Sequence, residues 1–144
     1  MIVMAVSAIM VGFAIPNVFM ARDTASRRAA RQELAAAFAA ARAAALQKGK
    51  LATLTLTTNS ATVSVLSGIA GTAVTVLGPV QFNTSLMARI DALDGAPTTI
   101  QFNARGMMTP TPATTQLYQV SVGMLKDTVC ISPAGIILPK GCQL

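Results

Sequence analysis

The chain has 144 residues, 53% apolar and 11% charged, with a net charge of +6, two cysteines and neither histidine nor tryptophan. That length holds one compact domain plus an appendage. The missing histidine removes the usual general base and metal ligand, acidic residues number five, and no P-loop, GxGxxG or GxSxG pattern occurs; composition therefore speaks against an enzyme, a metal site or a cofactor.

Residues 1–20 (MIVMAVSAIMVGFAIPNVFM) carry no charge. As a helix rising about 1.5 Å per residue they span roughly the 30 Å of a bilayer core. A cleavable signal peptide is the rival reading, but no basic residue precedes the run and no convincing small-residue cleavage site follows it. A domain this small also has little interior in which to hide an all-apolar helix. The expectation is a membrane anchor. Pro16 lacks the N–H of the helical ladder and its ring clashes with the carbonyl of Gly12, so residues 12–16 should kink or soften. Such softness suits a segment that must adapt to two environments.

Residues 21–48 are rich in alanine and other helix formers, so one long helix is predicted over 1–48, with residues 49–144 as a β-rich head. Leu34, Phe38, Ala41 and Ala45, with Ala37 beside them, form a helical stripe whose small residues let a sheet approach closely. Gln47, Lys48, Gly49 and Lys50 read as a helix C-terminus. Within residues 1–50, seven basic residues stand against Asp23 and Glu33, giving +5 of the total +6. This basic collar, with Arg27, Arg28 and Arg31 at its centre, suits lipid phosphates, nucleic acid or acidic groups of a neighbouring subunit. A plain solvated helix face fits it equally well.

After Gly49 the apolar period shifts from 3.6 to 2. Residues 51–57 and 61–66 alternate around Thr58, Asn59 and Ser60, which predicts a hairpin. Gly68 and Gly71 mark a loop, and residues 72–78 a third strand stopped by Gly78 and Pro79. Residues 81–83 are expected to be extended, and 91–97 to form a loop or short turn capped by Asp91 and Asp94. Residues 98–106 read as a strand and 109–112 as a loop or tongue. Residues 116–123 and 127–132 read as a hairpin turning at 123–126, and 135–138 as a last short strand. Seven or so short strands with no second helix argue for an α+β fold: a long N-terminal hydrophobic helix packed on a small antiparallel sheet or sandwich. Cys130 and Cys142 stand close together in sequence; behind a membrane anchor, in an oxidising compartment, a disulfide is expected. Ser132 and Lys140 share nothing beyond proximity, and no catalytic pair is assigned.

The opening resembles the type IV pilins and pseudopilins, whose N-termini carry an M-I-V-type apolar run with a late proline. Aligned so, Met1 follows the family's Glu-Leu pair and Pro16 falls on its proline. The leader, cleavage glycine, methylated phenylalanine and assembly glutamate are then not in this sequence. The rest is similar to the GspH/FimT-like pseudopilins and minor pilins. The likeness lies in Leu34, Phe38, Ala41, Arg42 and Ala45, then in Ile100, Phe102 and Gly106, then in Val129, Cys130, Ile131, Ser132 and Gly135. These patterns are short, and their order and spacing carry the resemblance. It implies a structural subunit of a type IV pilus or type II secretion pseudopilus, single-pass in the bacterial inner membrane with a periplasmic head. Its partners would be other pilin or pseudopilin subunits. Ile2, Val3, Val6, Ile9 and Val11 would pass from lipid into a filament core, with Gly12 and Pro16 supplying local softness. Some FimT-like minor pilins bind DNA through a Gly-Arg-x-Arg-like segment. Here the matching residues 135–140 (GIILPK) keep only Lys140, a thin basis for phosphate contact. Two alternatives stand beside the leading one: a minor pilin taking DNA or another anionic ligand through Arg27, Arg28, Arg31 and Lys140, and a plain single-span membrane protein with a periplasmic β domain.

Overall fold

The computed structural model describes residues 2–67 and 71–138, with side chains from Phe19 onward. One helix, α1 (Ile2–Lys48), precedes the sheets. It ends where Gly49 takes a left-handed φ of 61° and the Lys50 N–H returns to the Ala45 carbonyl at 3.3 Å, the glycine-terminated arrangement that satisfies a helix's last carbonyls. The predicted membrane span, residues 1–20, falls almost wholly before the described side chains. Among the described residues no helix is long and apolar enough to cross a membrane.

Two antiparallel sheets receive the C-terminal half of α1. The first has the order β3-β2-β1-β5-β6, built from β1 (Ala52–Leu56), β2 (Ser60–Ser67), β3 (Thr72–Gln81), β5 (Thr99–Phe102) and β6 (Met108–Thr109). The second has the order β4-β7-β8, built from β4 (Ala88–Leu93), β7 (Gln116–Val122) and β8 (Leu125–Ile131). Alternation puts Ala52, Leu54 and Leu56 of β1, Ala61, Val63 and Val65 of β2, and Tyr118, Val120 and Val122 of β7 into the core. From the helix come Ala30, Leu34, Ala37, Phe38, Ala41, Ala44 and Ala45, a single stripe that touches both sheets. Five of those seven are alanine, so strands approach the helix axis closely, and Phe38 fills the space between layers. Its ring packs on Tyr118 with centroids 5.5 Å apart, tilted at 56°. The buried Tyr118 hydroxyl donates to the Pro97 carbonyl at 2.8 Å, and burial pushes its pKa well above the ordinary tyrosine value.

The antiparallel α+β architecture and the first hairpin are as the sequence predicts, with β1 pairing β2 in the register Leu54↔Val63. Several local expectations need correcting. β3 does not stop at Gly78 and Pro79 but runs on to Gln81. It is an edge strand, and the register shift between Ala61↔Val80 and Val63↔Leu77 places Gly78 and Pro79 in one bulge where a missing N–H costs nothing. Of residues 81–83 only Gln81 is extended, as the end of β3: a short helix α2 (Phe82–Leu86) begins at Phe82, anchored by that buried ring and closed by Met87 at φ 52°. Residues 91–93 belong to β4, which pairs with β7 along its whole length, and the turn is confined to Asp94 and Gly95. β5 ends at Phe102 because Asn103 Oδ1 accepts from the Arg105 and Met107 N–H groups and folds the chain over. The β7–β8 turn is only Gly123 and Met124, two residues rather than four. Residues 135–138 form no named strand. They make one bridge, Ile131↔Ile137, with the Leu138 N–H donating to the Cys130 carbonyl at 2.9 Å. Gly68 lies outside the described residues.

Candidate functional site

The residues of the sequence patterns converge at the C-terminal end of α1. Gly106 is buried against the helix at φ 73°; a Cβ there would lie 3.1 Å from Leu46 Cγ and 3.2 Å from Arg42 Cγ. Gly135, at φ 74°, lies so near Phe102 that a Cβ would sit 2.6 Å from Cε1 of the ring. Helix, β5 and the segment after β8 are thus locked by two glycines, each at a backbone conformation and a distance that a side chain would spoil. Ser132 Oγ accepts the Ile136 N–H at 3.2 Å inside this lock, a structural role. Lys140 lies outside the described residues.

The basic collar sits one helix-half earlier, and the second sheet clasps it. Arg27 Nη1 donates to the Lys126 carbonyl at 3.2 Å, and Arg31 Nη1 meets Asp127 Oδ2 at 3.4 Å. Arg22 Nη2 lies 3.9 Å from Met87 Sδ, after α2. β8 thus begins beside Arg27 and climbs in the helix direction until the segment after it reaches Arg42. Arg28 is exposed, and Arg27, Arg28 and Arg31 line an open groove of about 410 Å³ with Gln32, Ala35 and Asp127. Two of the three predicted anion-contacting arginines therefore spend a donor on the head, while Arg28 faces solvent. Sequence reasoning did not find Lys126, Asp127 or Met87 as collar neighbours. Asp127 offered one signal: it is the sole acidic residue after Asp94 in a basic chain. Among the described residues no group of three potential metal ligands occurs. Cys130 is buried at the end of β8 and is not a free thiol, whereas Cys142 lies outside the described residues. Ile2, Val3, Val6, Ile9, Val11, Gly12 and Pro16 lie before the described side chains.

The family model of the type II transport protein GspH matches residues 30–135, well over half the chain. The chain belongs to the GspH family. It is a family of pilin- and pseudopilin-type structural proteins rather than enzymes. The fold is similar to that of the type IV minor pilin FimU of Pseudomonas aeruginosa strain PAO1 in two crystal forms. One matches at a TM-score of 0.63 and 18% identity, covering 80% of this chain and 88% of that one. The other matches at 0.56 and 19% identity, covering 77% and 90%. At such identity the likeness concerns the fold. A search of curated proteins finds no match. The GspH match begins at Ala30, the first buried residue of the helix stripe, and ends at Gly135, the second glycine lock.

Proposed function

We propose that this GspH-family chain is a structural subunit of a type IV pilus or type II secretion pseudopilus, assembled through its N-terminal helix. The observation that carries the reading is the division of labour along α1. The helix runs from Ile2 to Lys48, yet among the described residues its contribution to the head's core starts only at Ala30. The uncharged residues 1–20 are left for another apolar environment. Before assembly that environment is the inner membrane, with the head in the periplasm; afterwards it is the packed helices of other pilin or pseudopilin subunits. Ile2, Val3, Val6, Ile9 and Val11 exchange lipid for neighbouring helices at small net cost, because both surroundings are apolar. Gly12 and Pro16 let the segment bend at the transfer. The fold likeness to a minor pilin favours a minor subunit.

The test is made in the native cells with a head-tagged full-length chain. Filaments sheared from the surface, or pseudopili collected from a secreting strain, should carry the tag. A chain found only in the inner membrane while its system's filaments are recovered without it would overturn the proposal. Pro16→Ala should lower incorporation while leaving the membrane level unchanged; a plain membrane anchor predicts no effect.

A further inference from the structure

Four large apolar side chains stand in solvent at one end of the head. Phe19 and Met20 close the uncharged run and are 58% and 68% exposed. Met87, after α2, is 59% exposed, and Met124, at the tip of the β7–β8 turn, is 99% exposed. They are far apart in sequence, and α1 gathers them. Arg22 lies against the Met87 sulfur, and Asp23 Oδ2 lies 3.5 Å from a Cβ placed on Gly123, the neighbour of Met124. Both methionines therefore stand level with the turn of helix on which the uncharged run ends.

The charges around them are mostly of one sign. Arg22, Arg28, Arg89 and Lys126 are exposed there. Of the acidic groups at this end, Asp127 is engaged by Arg31, leaving Asp23. An apolar tip ringed by cations, continuous with an apolar helix, is the chemistry of a bilayer interface: thioethers and rings below the phosphates, guanidinium and ammonium groups among them. A protein neighbour could cover the methionines, but the cation excess favours an anionic lipid surface.

We propose that this end of the head is a membrane-contact surface, in which Met87 and Met124 enter the headgroup–acyl boundary beside α1 while Arg22, Arg28, Arg89 and Lys126 meet lipid phosphates. The inference rests on the reading above that residues 1–20 lie in the membrane before assembly. The head is then seated on the bilayer rather than held away from it, and assembly must lift it off as well as draw the helix out.

The chain has no tryptophan, so single substitutions report cleanly. Full-length Phe19→Trp, Met87→Trp, Met124→Trp and Met107→Trp variants are reconstituted into phosphatidylglycerol vesicles and into phosphatidylcholine vesicles, each containing lipid brominated near the top of the acyl chain. Met107 is the control, because its neighbour Gly106 packs on Arg42 and Leu46 at the far end of α1. Quenching and blue-shifted emission should appear at positions 19, 87 and 124 and not at 107. The combined variant Arg28→Gln with Lys126→Gln should weaken quenching of Met124→Trp in phosphatidylglycerol more than in phosphatidylcholine. Quenching at 19 with none at 87 and 124 overturns the membrane-contact surface and leaves the anchor standing. No quenching at 19 removes both. A blue shift at 124 without bromine quenching means protein covers the tip, which also overturns the inference.

Discussion

Gly135 and Gly95 share a backbone conformation, φ 74° and 75°, and differ in what surrounds them. Around Gly95 a Cβ would meet nothing within 4 Å, whereas at Gly135 it would strike the buried Phe102 ring. Gly95→Ala should therefore cost only the left-handed strain, about 1 kcal/mol. Gly135→Ala should add an overpacking cost of roughly 1–3 kcal/mol, because a filled core must shift to make room. Chemical denaturation of the two full-length variants in one detergent makes the comparison. Equal losses would mean that the Phe102 ring yields freely and that the second glycine is no lock. Arg31 and Asp127 lead to the opposite expectation. Their pair spans 3.4 Å with both side chains about a third exposed (32% and 27%), so water and salt screen it. A double-mutant cycle with Arg31→Gln and Asp127→Asn should give a coupling below about 1 kcal/mol that shrinks further in high salt. A coupling of several kcal/mol that resists salt would contradict this.

Between helix and sheets, the seam is organised on Phe38 and Tyr118. Tyr118 is the chain's only tyrosine, so phenolate absorbance reads it directly. Its folded-state pKa is raised by burial, which favours the neutral form in the native protein. The unfolded chain ionises near the ordinary value of about 10 and the native state does not; the stabilisation is therefore whole below about pH 10 and is lost as pH rises through the folded pKa. Above about pH 10 unfolding stability should fall by roughly 1.4 kcal/mol per pH unit from this group, and Tyr118→Phe should remove that slope. The same variant loses the bond to the Pro97 carbonyl, about 1 kcal/mol at neutral pH. Early phenolate absorbance in the folded protein near pH 10 would show the ring to be hydrated. How legible these elements were depended on their length. The stripe of Leu34, Phe38, Ala41 and Ala45 repeats over several turns and could be read from sequence. α2 has five residues, fewer than two helical turns, and its one anchor, Phe82, sits among polar residues that suit any state. β4 keeps its alternation, with Ala88 and Ile90 inward, but Asp91 and Asp94 resemble caps, and only pairing with β7 makes Asp91 a strand residue. Gly78 and Pro79 are sound stop signals that an edge position and a bulge disarm.

At the scale of the molecule, the charge is partitioned: no charged residue occurs between Lys50 and Arg89, while the collar carries the basic excess. The collar's arginines were legible because they are contiguous on one helix. Its other half was not, since Met87, Met124, Lys126 and Asp127 come from the end of α2 and the β7–β8 hairpin, and only the topology brings them to α1. The chain's end is a further case, in which linear proximity suggests a link and the described residues fix only its starting point. Leu138 N–H bonds the Cys130 carbonyl, so the tail leaves from a point directly beside Cys130. Four residues reach at most about 13 Å, and a disulfide needs the two Cα atoms within about 7 Å, so a start beside Cys130 is compatible with a link to Cys142. We expect a Cys130–Cys142 disulfide that closes a short loop and contributes about 3 kcal/mol. Peptide mapping of the non-reduced protein should find the linked pair within one chain, and reduction should lower stability by about that amount. Cys142→Ser should match the reduced wild type, since it removes the crosslink alone. Cys130→Ser should fall below both, because its sulfur site is 1% exposed and a hydroxyl there is buried. A linkage found between chains, or stability unmoved by reductant, would rule the loop out and leave Cys130 as a packing residue of the second sheet.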